Sequence, residues 1–196
     1  GDIYYVDNVL GNDETGVAND PTQPFRYVQS PASELEGVIG LVKPGDFIVM
    51  RDSGTPWVDV SAKNRFLQFR NVTGTAPTGE AGTGPITVIG YPGENVLIEC
   101  QDNTACGIHG IDGYAHPQDA NWISIANLRI RGGSANVNDA PINLQHRSDN
   151  WRVVNNELFD WDARDQDLYD EFGNQIAWQA RAAGLVGDGT NVKVLG

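Results

Sequence analysis

The run Asp160-Trp161-Asp162-Ala163-Arg164-Asp165-Gln166-Asp167-Leu168-Tyr169-Asp170-Glu171 is the densest concentration of oxygen donors in the chain. Alternating carboxylates suit Ca²⁺, which takes roughly six to eight oxygen ligands, so Asp160, Asp162, Asp165 and Asp167 are candidate metal ligands. An EF-hand does not fit, because Arg164 and Asp165 stand at the fifth and sixth positions, where a ligand and a glycine belong. A hydrated acidic loop fits the run as well. Asn12-Asp13-Glu14 with Asn19-Asp20 offers the same two readings. Cys100 and Cys106 enclose a short polar loop. They form a disulfide if their Cα atoms come within about 7 Å in an oxidising compartment, and are two unrelated thiols otherwise. The sequence contains no phosphate-binding glycine loop, zinc-ligand array or Gly-x-Ser-x-Gly elbow.

Whatever chemistry these residues do, a chain of 196 residues with 40% apolar content must position them on one domain. The 26 acidic residues outnumber the 13 basic ones, and the net charge of −13 opposes nucleic-acid binding. The longest apolar run, Val38 to Val42 interrupted by Gly40, is far too short for a membrane span. Gly1 stands where an initiator Met would, and no charged-then-apolar leader precedes Tyr4, so a processed or trimmed start is expected.

The 23 Gly and 10 Pro separate short Val-, Ile-, Leu- and Trp-rich segments, a β-type grammar. One stretch has helical spacing. Ser30 suits an N-cap, Pro31 the first helical position, and Leu35, Val38, Ile39 and Val42 share a face, which predicts a short helix to about Leu41. Lys43-Pro44-Gly45-Asp46 then turns the chain into a strand at Phe47-Ile48-Val49-Met50.

Internal repeats follow. Asn121-Trp122-Ile123-Ser124-Ile125-Ala126-Asn127-Leu128-Arg129-Ile130 aligns without gaps to Asn150-Trp151-Arg152-Val153-Val154-Asn155-Asn156-Glu157-Leu158-Phe159, 29 residues on, and Asn191-Val192-Lys193-Val194-Leu195-Gly196 repeats the opening after a further 41. Ile86 to Gly90 followed by Asn95 to Glu99 is a degenerate earlier copy. A second strand set precedes each repeat, at residues 107–111, 140–146 and 183–188. Each unit is too short to bury its own apolar face, so units must stack as a solenoid with extra residues extruded as loops. Asn127 and Asn156 should stack in a ladder at a turn, where Asn tolerates left-handed dihedrals. Continuing that register places the next rung at position 197, so the chain is expected to stop in mid-coil with an open apolar end available for self-association.

These residues resemble secreted right-handed parallel β-helix proteins of the pectate-lyase-like superfamily. The resemblance is carried by Tyr4-Tyr5-Val6-Asp7, Gly11-Asn12-Asp13, Pro24-Phe25-Arg26-Tyr27-Val28-Gln29, Lys43-Pro44-Gly45-Asp46-Phe47-Ile48-Val49, Ile86-Thr87-Val88-Ile89-Gly90-Tyr91-Pro92-Gly93-Glu94 and the Asn121 to Gly132 segment. It implies an all-β, right-handed parallel β-helix, with residues 1–46 as capping strand, loop and helix and 47–196 as the first coils. It also implies a secreted, extracellular or periplasmic location and polysaccharide along the outer face of one sheet. On the repeat register that face presents His109, Asn143, Gln145 and Asp188 as substrate-binding candidates, with His146 and Arg147 at the end of the same strand.

A lyase acting on a uronate needs a base for the C5 proton, a cation for the carboxylate and an acid for the departing O4. His146 suits the base and Arg147 the clamp, with Ca²⁺ as a possible cofactor in such proteins. Residues 146 and 147 also read as a solvated strand end. The functional expectation is a polysaccharide lyase on an acidic glycan. The alternative is a non-catalytic extracellular module such as an adhesin, a tailspike-like stalk or a fibre subunit.

Overall fold

Segments of three to five residues rich in Val, Ile and Leu, punctuated by Gly and Asn corners, favour strands that stop soon after they start. The computed structural model describes residues 1–30, 37–58, 66–70, 78–99, 107–111, 121–131, 141–145, 149–159, 185–187 and 193–195. Its strands are β1 (Ile3–Val6), β2 (Phe47–Met50), β3 (Trp57–Val58), β4 (Leu67–Arg70), β5 (Ile86–Gly90), β6 (Leu97–Glu99) and β7 (Ile108–Ile111). They continue as β8 (Ile123–Ala126), β9 (Arg129–Arg131), β10 (Ile142–Gln145), β11 (Arg152–Val154), β12 (Glu157–Phe159), β13 (Leu185–Gly187) and β14 (Lys193–Leu195).

The strands form three parallel sheets: β1-β2-β5-β8-β11-β14, here sheet A; β3-β6-β9-β12, sheet B; and β4-β7-β10-β13, sheet C. From β2 onward the chain visits A, B and C in turn and then returns to A. Each circuit therefore lays one strand on each sheet beside the strand of the circuit before. The expected second strand set is sheet C, which gains β4 as an earlier member.

Alternate residues of each strand point between the sheets and stack on their equivalents. In sheet A, Tyr4, Ile48, Val88, Ile125 and Val153 form one such column, all buried. Trp57, Ile98 and Ile130 do so in sheet B, and Leu67, Ile108 and Ile142 in sheet C. Burying these columns removes enough apolar surface from water to dominate the stabilisation of strands too short to persist alone.

The stacking interval corrects the sequence alignment by one residue. Ser124, Ile125 and Ala126 pair with Arg152, Val153 and Val154, and the Asn127 side chain meets Asn155 rather than Asn156, a separation of 28 residues. Asn155 Nδ2 donates to Asn127 Oδ1 at 2.8 Å, and both residues have left-handed backbones, φ 50° and 53°. Asn156 plays a different part: its Oδ1 accepts from Leu128 N at 3.0 Å and its Nδ2 donates to Ile125 O at 3.0 Å, so one amide satisfies two backbone groups of the preceding circuit. Trp122 and Trp151 are accordingly not equivalent. Trp122 is half-buried with φ 55°, whereas Trp151 is fully buried and meets Phe69 edge-on, with ring centroids 5.5 Å apart.

The expected helix is also revised. Gly37 has φ 84°, which interrupts an α-helix, and the described part beyond it is a 3₁₀ turn, Val38–Gly40. Residues 31–36 lie outside the described residues. Val38, Ile39 and Val42 are buried as the apolar spacing requires.

The N-terminal segment closes one end of the sheets. Asn19 exchanges two hydrogen bonds with the backbone of Ile3, its Oδ1 accepting at 2.9 Å and its N donating at 2.7 Å. Phe25 N donates to Tyr5 O at 2.8 Å, and Asp7 N donates to Phe25 O at 2.9 Å. Buried Asp46 ties the turn before β2 to the N-terminus by accepting from Asp2 N at 2.7 Å and Lys43 N at 2.8 Å.

Candidate functional site

In β4, Leu67 and Phe69 face the core, which leaves Gln68 at the outward-facing position between them. Parallel pairing carries this position through sheet C as Gln68, His109, Asn143 and Val186. Neighbouring strands lie about 4.8 Å apart, so Gln68, His109 and Asn143 occupy consecutive rungs of one row across roughly 10 Å. Two residues further along the strands, Arg70, Ile111 and Gln145 are in register. His109 and Asn143, singled out from sequence, are thus brought side by side in register, and Gln145 falls in the adjacent row of the same strand. His146, Arg147 and Asp188 lie outside the described residues, as do Asp160, Asp162, Asp165, Asp167, Cys100 and Cys106.

Gln68 is the member the sequence reading missed. The alternation Leu67-Gln68-Phe69-Arg70 is the signal that finds it, an apolar–polar pattern of period two. Its backbone edge is held by the side chain of Gln29, whose Oε1 accepts from Gln68 N at 2.8 Å and whose Nε2 donates to Gln68 O at 3.3 Å. The side-chain amide of Gln29 thereby imitates a neighbouring strand on the outermost strand of sheet C. Gln68 itself is only 4% exposed, and its Nε2 has no hydrogen-bond partner. A buried amide donor left unpaired costs about 1–3 kcal/mol.

Three ion pairs are formed among the described residues. On the outer face of sheet B, Arg129 pairs with Glu157 and Arg131 with Glu99, while Arg129 also lies over the Phe159 ring at 4.9 Å. At the corner after β2, Arg51 makes a forked contact to Glu94 with bonds of 2.7, 2.9 and 3.1 Å and lies 4.3 Å over Tyr91. Those bonds hold the Glu94 carboxyl below its usual range, helped by Asp52 N at 2.7 Å, and raise the Arg51 guanidinium. Asp20 is lowered by the hydroxyl and backbone N–H of Thr22 and by Gln23, an arrangement that orders a turn.

By register, one row of sheet C carries two amide residues and a histidine. Amide and imidazole groups form hydrogen bonds with hydroxyls and carboxylates. Among the described residues no three His, Cys, Asp or Glu side chains gather as a metal site. The acidic run considered for Ca²⁺ lies outside those residues, so no metal ligand is assigned. Comparison of the chain with family models, with curated proteins and with solved structures finds no match.

Proposed function

We propose that the chain is the capped portion of a right-handed parallel β-helix of the pectate-lyase-like kind, acting outside the cytoplasm on an acidic, uronate-containing polysaccharide. The observation that supports this most is the row Gln68, His109 and Asn143 on consecutive strands of sheet C, with an unpaired amide donor at one end. A linear polymer has repeating groups at regular intervals, and a row of strands supplies hydrogen-bonding positions at regular intervals to meet them. In the reaction, His146 takes the C5 proton of a uronate and the freed electron pair becomes the C4–C5 double bond. The C4–O4 bond breaks with its electron pair going to O4, which takes a proton from solvent water. Arg147 offsets the carboxylate charge that grows during proton removal.

Incubation with polygalacturonate, alginate or a glycosaminoglycan should release an unsaturated uronate, detected by its new ultraviolet absorbance. His146→Ala should lower the rate by about 100-fold or more. No unsaturated product from any of the three polymers rejects the lyase.

The second reading is a non-catalytic extracellular module, such as an adhesin, a tailspike-like stalk or a fibre subunit, that associates with copies of itself. Light scattering on dilution separates the two, because a monomer at all concentrations rejects association.

A further inference from the structure

The outer face of sheet A carries a second row, on a different sheet from the one above. Register places Phe47, Thr87, Ser124, Arg152 and Lys193 in line on five successive strands. The neighbouring outward row is Val49, Ile89, Ala126, Val154 and Leu195. From β2 onward the first row carries an exposed aromatic ring, the buried Thr87, the half-buried Ser124 and two exposed cations. The second is an apolar ledge beside it. Four strand spacings separate Phe47 from Lys193, about 19 Å.

Arg152 and Lys193 are the unusual pair. They are direct partners on adjacent strands and both are exposed. Like charges in that position repel. Arg51, Arg129 and Arg131 each hold a carboxylate, but among the described residues neither Arg152 nor Lys193 meets one. In a chain with twice as many acidic as basic residues, two adjacent cations that meet no carboxylate among the described residues mark a position that an external anion would stabilise. With Cα atoms about 4.8 Å apart, both heads reach a single carboxylate or sulfate.

We propose that the outer face of sheet A binds a linear carboxylated or sulfated glycan, its anionic groups held by Arg152 and Lys193. Ser124 supplies a hydroxyl partner, and Ile89, Ala126, Val154 and Phe47 offer apolar surface to the C–H faces of the sugar rings. A glycan fits the face better than nucleic acid does. The net charge of −13 repels a densely charged phosphate backbone, and two cations suffice for a polymer with one anionic group per sugar. The proposal borrows the acidic-glycan class from the function proposed above but rests on a different surface.

The test is titration calorimetry of the whole chain with polygalacturonate and with heparin at two salt concentrations. Wild type is compared with the Arg152→Gln/Lys193→Gln double variant and with His109→Ala/Asn143→Ala. Because Arg152 and Lys193 are exposed, the first variant should keep the wild-type melting temperature. The proposal expects that variant to bind at least tenfold more weakly, with a salt slope reduced by about one per cation removed. Polygalacturonate binding retained there but lost in His109→Ala/Asn143→Ala overturns this inference and leaves the sheet C reading standing. Heparin binding that depends on Arg152 and Lys193, with no polyuronate bound or cleaved, supports the inference while removing the lyase. Equal loss of DNA or anionic-vesicle binding in the double variant, with no glycan bound, overturns the choice of ligand.

Discussion

Glu94 shows how a single side chain can fix a corner of this molecule. Its carboxylate takes the fork of Arg51 and the N–H of Asp52, joining the turn after β5 to the end of β2. Its folded pKa lies below the unfolded value, so the stability it contributes is present above the unfolded pKa and is lost as pH falls through the folded one. Glu94→Gln should therefore cost about 1 kcal/mol near neutral pH, while the variant and wild type converge as the pH falls through the folded value, as read by urea denaturation at neutral and acid pH. Trp151 is a larger determinant. It is fully buried against Phe69, and Trp151→Ala should cost about 3–5 kcal/mol, whereas Trp122→Ala, at a half-buried corner, should cost visibly less. The repeat containing these two tryptophans was legible in the sequence, but their equivalence was not. Aligning like letters gives an interval of 29, while the corner geometry requires the left-handed Asn127 to meet Asn155 and sets 28. Identity of side chains marks a repeat. Backbone conformation sets its register, and letters alone do not carry it.

At the scale of elements, two features depend on close backbone contact. Gly90 lies next to Asn127 in the circuit, and a Cβ there would sit 2.2 Å from Asn127 O. Gly90→Ala must push successive circuits apart and should cost about 1–3 kcal/mol, seen as a lower urea midpoint. Gln29 protects the edge of β4, and Gln29→Ala should expose the Gln68 amide to faster hydrogen exchange and cost about 1 kcal/mol. The strands themselves were legible, because alternation and Gly or Asn corners are local signals. The helix was only partly so. Its buried face was read correctly at Val38, Ile39 and Val42, but the spacing of apolar residues does not report the positive φ that Gly37 adopts. Edge protection was not legible at all, since Gln29 and Gln68 meet across 39 residues through a side chain that imitates a strand.

Across the whole molecule, three parallel sheets turn short segments into long rows, and a row on an outer face is where a linear polymer can lie. The juxtaposition of His109 with Asn143 was legible from the repeat, because each lies in the apolar-patterned segment that precedes a repeat unit. Gln68 was not, since no matching unit was recognised beside β4. The central claim is that the row on sheet C is where an acidic polysaccharide binds. An isotope-labelled sample titrated with a short oligogalacturonate tests it directly. The account predicts amide shifts concentrated at Gln68, His109 and Asn143 that saturate together, and saturating ligand that leaves β4, β7 and β10 unshifted would contradict it.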